Sequence, residues 1–165
     1  MPRHWLDSSV FITARDTMFA FDINTSFWKW MGEALESGAV VAPRKVYEEL
    51  VENVRKTDDL AIWVKTRRKK GLCVEPDAQT FQALKSVSDY LFHGGRYQYP
   101  FALDFVNGAD PWIIAHAMVD GGTVVSQETD KQPHANRVRI PDVCDHFGVP
   151  CVKVWEMLRN LGAKL

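Results

Sequence analysis

Cysteine is scarce in this chain. The 165 residues include three, Cys73, Cys144 and Cys151, which cannot all pair with one another and are too few for a secreted disulfide scaffold. A reducing cytoplasm is the expected compartment. Charge of one sign is not in excess either: Lys plus Arg is 20 and Asp plus Glu is 21, for a net charge of −1, so no global positive field recruits a polyanion and any contact with nucleic acid has to be local. No run of about 18 uncharged apolar residues occurs, and the first residues, Met1-Pro2-Arg3-His4-Trp5-Leu6-Asp7, meet an acid before an apolar signal region develops. Neither a membrane span nor a signal peptide is expected. Internal repeats, low-complexity stretches and linkers are also lacking. What remains, 46% hydrophobic and 25% charged, is an ordinary globule. Disorder, collagen and coiled coil are excluded for the chain as a whole, and its length suits one domain over residues 1–165.

The patterning alternates between strand and helix. Trp5-Leu6-Asp7 ends a first strand, and Ser8 to Ile12 begins a helical turn with hydroxyl caps. Asn24-Thr25-Ser26 caps a helix with Phe27, Trp30, Met31, Ala34 and Leu35 on one face, closed by Gly38. Ala39 to Ala42 reads as a brief strand, and Pro43 opens a helix from Arg44 to about Val54. Thr57-Asp58-Asp59 caps a helix through Trp63 that ends in the basic run Lys65 to Lys70, Leu72-Cys73-Val74 reads as an edge strand, and a helix after Pro76 carries Phe81, Leu84, Val87 and Leu91 on one face. Asp110-Pro111 starts a helix that ends at Gly121-Gly122, with the acid as cap and the proline in the first turn. Thr123 to Ser126 is a strand, Lys131 to Arg139 polar loop, Ile140 to Phe147 a helix, Val152 to Val154 a last strand and Trp155 to Leu161 a last helix. Strands separated by helices predict a mostly parallel sheet covered on both faces, a three-layer α/β/α sandwich.

Four acids stand where such a fold brings distant segments together: Asp7 at the end of the first strand, Glu49 on a helix, Asp110 at a helix start and Glu128 just beyond a strand. The carboxyl ends of parallel strands face one crevice. Carboxylates gathered there repel one another unless a cation intervenes. Hard oxygen donors with few histidines suit Mg²⁺ or Mn²⁺, and the corresponding chemistry is metal-assisted phosphodiester hydrolysis.

Taken in order, Asp7-Ser8-Ser9-Val10-Phe11-Ile12, Val46-Tyr47-Glu48-Glu49-Leu50, Ala109-Asp110-Pro111-Trp112-Ile113-Ile114-Ala115-His116-Ala117 and Val124-Val125-Ser126-Gln127-Glu128 resemble the four acidic motifs of PIN-domain ribonucleases. The tail, Ile140-Pro141-Asp142-Val143-Cys144 with Gly148-Val149 and Trp155 to Arg159, is similar to a PIN-like subfamily catalogued as a domain of unknown function. The resemblance spans nearly the whole chain. It implies a single PIN-like domain in which Asp7, Glu49, Asp110 and Glu128 are catalytic and hold Mg²⁺ or Mn²⁺, Ser9 and Ser126 support them, and RNA is cut. Many such proteins are the toxins of VapC-type toxin–antitoxin pairs, so a cognate antitoxin and a homodimer are implied as partners. The usual fourth acid is aspartate. Here Glu128 stands in its place with Asp130 two residues on, and the fourth metal ligand is one or the other. The stretch from about Asp58 to Phe105 is longer than in the compact toxins and matches no motif.

Each residue has a plainer role to set beside this one. Asp7 alone reads as a helix cap, Asp110 caps its helix with or without a metal, Glu128 reads as a loop acid, and Glu49 competes with Glu48 and Glu52. Arg67, Arg68, Lys69 and Lys70 offer phosphate contacts, although cations at a helix C-terminus also complement its dipole. Cys144, His146 and Cys151 lack the fourth ligand of a structural zinc site and read as a buried cysteine pair; His116 reads as a satisfied interior histidine. The expected function is a Mg²⁺-dependent endoribonuclease, the toxin of a toxin–antitoxin pair. The alternatives are a non-catalytic PIN-like module binding protein or RNA, and a structure-specific DNA nuclease.

Overall fold

The strands are two or three residues long and almost uniformly apolar, as strands covered on both faces have to be. The computed structural model describes residues 2–52, 57–129 and 137–165. β1 (His4–Leu6) lies between β2 (Val40–Val41) and β3 (Thr123–Val125), with β4 (Cys151–Val152) beyond β3, in the order β2-β1-β3-β4. All pairings are parallel, and Leu6 is level with Val125 while Val125 is level with Val152. The residues that follow β1 and β3 therefore leave the sheet side by side, at its carboxyl edge.

The helices are α1 (Ser8–Thr13), α2 (Thr25–Glu36), α3 (Arg44–Val51), α4 (Asp59–Lys65), α5 (Ala78–His93), α6 (Tyr99–Asn107), α7 (Asp110–Asp120), α8 (Ile140–Phe147) and α9 (Val154–Asn160). A π-helical stretch, Ala14–Met18, continues α1. Helix α7 is apolar around most of its circumference, with Ile113, Ile114, Ala115, His116 and Ala117 all buried, and it packs against α5, β1 and β3. It is the central helix of the fold, and Gly121 ends it at φ 67°, a left-handed turn that a side chain disfavours. The largest buried side chains, including Trp5, Phe11, Phe27, Met31 and Met157, belong to one continuous core on both sides of the sheet.

Most elements lie where the patterning puts them, with informative differences. Asn24, Asp58 and Asp77 each accept a backbone N–H at a helix start, from Phe27, Ala61 and Thr80. Leu72 to Val74 does not join the sheet as a strand; it makes a single bridge, Val74 to Pro43. The last strand begins one residue earlier than predicted, at Cys151. Phe81, predicted on the core face of α5, is 53% exposed, and on α2 it is Trp28 that is buried while Trp30 is half-buried. Helix α6 is not foreseen at all. Val54, the expected end of α3, lies outside the described residues, as does most of the predicted loop from Lys131. Among the described residues no helix is long and apolar enough to cross a membrane.

Candidate active site

Asp7 is the first residue past β1. Its backbone conformation is that of a helix cap, yet its side chain makes no capping bond, and the hydroxyls expected to cap α1 are turned toward it instead. Ser9 Oγ donates to Asp7 Oδ2 at 2.5 Å, Ser126 Oγ donates to the same oxygen at 3.1 Å and Ser8 Oγ to Oδ1 at 3.4 Å. The hydroxyl orientations are settled from the other side, because Ser9 Oγ accepts the Gln127 N–H and Ser126 Oγ accepts the Glu128 N–H, both at 3.1 Å. A carboxylate only 4% exposed would be costly without such donors. Here it ties the end of β1 to the end of β3 through Ser9 and Ser126.

Asp110 is the first residue of α7, preceded by Ala109 in the cap position, and it makes no side-chain cap. That corrects the reading of Asp110 as a cap. The Ala109 N–H at the head of the helix is taken by Glu49 Oε1, 3.2 Å away on α3. Among the described residues no hydrogen bond reaches the Asp110 carboxyl. Burial, followed by the charges of Asp7, Glu128 and Glu49, pushes its pKa from 3.8 up to about 8, with Arg137 opposing. All four predicted acids therefore belong to one electrostatic neighbourhood, and the charge at its centre is uncompensated.

Glu128 is more constrained than a loop acid. Its Oε2 accepts the Ile140 N–H at the start of α8 at 2.8 Å, its Oε1 lies 3.2 Å from Arg137, and its backbone carbonyl accepts from Lys153 Nζ. Asp130, the competing fourth ligand, lies outside the described residues. Glu48 turns away into ion pairs with Arg44 and Lys45, at 3.0 and 3.4 Å. The acids of this crevice are thus distinguishable: Glu49 reaches α7, whereas Glu48 is engaged along its own helix.

Among the described residues no three Asp, Glu, His or Cys side chains already converge as a cation cage. The donor set still fits a hard divalent cation, because it is all carboxylate oxygen and Arg137 offsets the charge around Asp110 only in part. An ion that retains several waters suits ligands that ring a crevice without closing on one another.

Two contributors have no counterpart in the sequence motifs. Arg137, 70% exposed, is the cation nearest this charge. It lines a small cleft of about 80 Å³ with Asp110, Asp104, Phe101 and Phe105, the last three from the unforeseen α6. The signal available for α6 was Pro100 in its first turn with Phe101, Ala102 and Phe105 at helical spacing.

The other predicted groups sit elsewhere. Arg67 stacks over Trp63 at 4.1 Å and Lys70 pairs with Glu36 at 2.6 Å, while Arg68 lies over Tyr47 at 5.5 Å; only Lys69 of that run has no such contact among the described residues. Cys144 and Cys151 form no disulfide, and Cys151 together with burial pushes the Cys144 thiol up. His116 is interior but not satisfied, since its Nε2 has no hydrogen-bond partner among the described residues. It stacks on Trp5 at 4.5 Å, and burial lowers its pKa to about 4.

The family described as a domain of unknown function, DUF4411, matches residues 4–165. No curated protein matches the chain. Among solved structures, a chain of VapBC2 from Rickettsia felis, a complex bound to a DNA fragment from their promoter, superposes with a TM-score of 0.56 at 11% identity, covering 91% of this chain and 97% of that one. The likeness shows a PIN-like α/β fold.

Proposed function

We propose that this chain, which belongs to the DUF4411 family, is a Mg²⁺- or Mn²⁺-dependent endoribonuclease of PIN type, acting in the cytoplasm as the toxin of a toxin–antitoxin pair. The observation that carries the reading is Asp110: a half-buried carboxyl with no hydrogen bond among the described residues, whose proton affinity is raised by desolvation and then by three other acids from three separate segments. A fold gains nothing by gathering like charges unless something positive joins them. Asp7, Asp110 and Glu49, with Glu128 or Asp130, would hold the ion. It would supply an activated water for phosphodiester hydrolysis and offset charge on the leaving oxygen. The chain's own residues fix the crevice: the two serines hold Asp7 by its Oδ2 edge, Glu49 holds the head of α7, and Arg137 is placed to meet a phosphate. The VapBC2 likeness supports an antitoxin as partner.

A second reading takes support from the same geometry. Glu49 and Glu128 each accept a backbone N–H at the head of a helix, so both have structural work in a PIN-like module that binds without cutting. Incubation with a broad RNA panel separates the two. The nuclease reading expects EDTA-sensitive cleavage in Mg²⁺ or Mn²⁺, lost in Asp7→Asn and Asp110→Asn, and metal binding by calorimetry. Absence of both in the wild type overturns it. A small DNA-binding protein encoded beside this chain would favour the toxin.

A further inference from the structure

A cleft larger than the acidic crevice lies elsewhere on the molecule. It has a volume of about 480 Å³ and lies between the start of α3, the approach to α5 and the first turns of α7, within the range of about 300–1,000 Å³ usual for small-ligand pockets. Its walls are of two kinds. Phe81, Trp112 and Pro43 supply apolar faces, and Phe81 meets Trp112 edge-on at 5.6 Å. Arg44 and Lys45 stand at the rim, where Arg44 is held between Glu48 at 3.0 Å and Glu75 at 3.1 Å. His116, 5% exposed, forms part of the wall and carries the nitrogen without a partner.

The cleft is connected to the acids through the chain itself. Lys45 lines both this cleft and a neighbouring one of about 340 Å³ that contains Glu49, Gly108 and Ala109. Lys45 and Glu49 are one helical turn apart, about 6 Å of rise, and Trp112 is two residues beyond Asp110 on α7. Residues two apart on a helix face opposite sides, so the cleft meets the acids along α3, where it shares Lys45 with the cleft of Glu49.

We propose that the cleft formed by Phe81, Trp112, Lys45 and His116 is a nucleobase-binding subsite, which seats one unstacked base of the RNA strand adjacent to the phosphodiester presented to the acids. Aromatic faces are what an unstacked base needs, because stacking on them recovers the contact that it loses on leaving the strand. The rim cations suit the phosphate that accompanies the base. This inference rests on the nuclease reading for the identity of the strand, and its test separates the two.

The test compares a fluorescent ten-nucleotide single-stranded RNA with an abasic oligomer of the same sugar-phosphate length. Both are titrated into the full chain with Ca²⁺ in place of Mg²⁺. The expected result is tighter binding of the base-bearing strand. That advantage falls by about five- to a hundredfold in Phe81→Ala and Trp112→Ala, the range for losing one base–aromatic stack, and is largely kept in Trp112→Phe. Because Phe81 is half exposed, its truncation leaves the fold intact, as circular dichroism would verify. Equal affinity for both oligomers, or an advantage that Phe81→Ala leaves unchanged, overturns the subsite; Mg²⁺-dependent cleavage by the same preparation would leave the nuclease reading standing. Failure of any RNA to bind or be cut removes both. Loss of antitoxin binding in Phe81→Ala, with RNA affinity unchanged, would assign the cleft to a protein side chain and overturn the proposal.

Discussion

Replacing Asp110 by asparagine keeps its shape and removes its charge, and the structure specifies what that should do. In the folded chain this carboxyl holds its proton to about pH 8, whereas its ordinary value is 3.8. The folded state therefore binds more protons than the unfolded state between those limits. Stability contributed by the protonated form is fully present below pH 3.8 and is lost as pH rises toward 8, at up to about 1.4 kcal/mol per pH unit. Solvent screening and relaxation of a partly exposed crevice reduce the sum, leaving a penalty on the order of 2–4 kcal/mol at pH 7.5. Asp110→Asn escapes it, so in EDTA at pH 7.5 the variant should melt roughly 5–10 °C above the wild type for a domain of this size. At pH 4.5 the two should nearly coincide.

The difference between the two proteins is the quantity to measure, by thermal unfolding across pH 4.5–8. His4 and His116 act on the raw curves with the opposite sign: burial lowers both imidazoles, so each contributes stability above its ordinary value of 6.5 that is lost as pH falls. Both are present in wild type and variant and cancel. Millimolar Mn²⁺ should then reverse the ranking at pH 7.5, because only the wild type offers the charge that binds it. A wild-type minus variant difference that stays flat with pH, and a Mn²⁺ response common to both, would refute the account of a charge held for a cation.

Glu49→Gln keeps an acceptor for the Ala109 N–H and should fold normally while losing RNA cleavage by orders of magnitude; Glu48→Gln, which breaks only exposed pairs with Arg44 and Lys45, should retain activity and lose less than about 1 kcal/mol. Ser126→Ala leaves the Glu128 N–H without its acceptor and removes one of the three hydroxyl donors to the buried Asp7, so urea unfolding should show a loss of about 1–3 kcal/mol, with a weaker Mn²⁺ response. Glu128→Gln should abolish metal-dependent cleavage and Asp130→Asn should be mild if Glu128 is the ligand; the opposite ranking in the same assay transfers the role to Asp130.

How far the sequence reveals this arrangement depends on the range of the interaction. Caps at Asn24 and Asp58 are visible because donor and acceptor lie three residues apart, and parallel strands are visible because their apolar runs alternate with helices. Asp7, Asp110 and Glu128 could be gathered from position, since each follows or opens an element that the topology directs to one edge, whereas Glu49, within α3, rested on the motif resemblance. What escaped was the division of labour among them. A local rule assigns Asp110 to its own helix as a cap, but the Trp112 and Ile113 N–H groups that such a cap would serve bond the Ala109 carbonyl instead, and the Ala109 N–H at the helix head is taken by Glu49, 60 residues away in the chain. The same rule gives Asp7 to α1, where three serine hydroxyls claim it instead.

These substitutions of distant for local partners have a common consequence. Wherever an acid could have satisfied a neighbouring backbone group, that group is satisfied by something else, or the acid is held by hydroxyls that leave its charge in place. Ser9 and Ser126 are neutral donors: they orient Asp7 without neutralising it, whereas a lysine or arginine at either position would have done both. The Ala109 carbonyl takes the N–H groups that Asp110 could have capped, and Asp110 is left with no hydrogen bond among the described residues and three negative neighbours. Arg137 is the exception that bounds the inference, since it offsets part of the charge at Glu128 from a position 70% exposed to solvent. An exposed arginine can be drawn away by an incoming phosphate at little cost, so its pairing in the free protein and its proposed contact with substrate are compatible states of one flexible side chain. Arg137→Ala should therefore weaken RNA binding in Ca²⁺ and flatten its salt dependence while leaving Mn²⁺ affinity level or increased; a fall in Mn²⁺ affinity would mean that the arginine positions Glu128 for the metal instead.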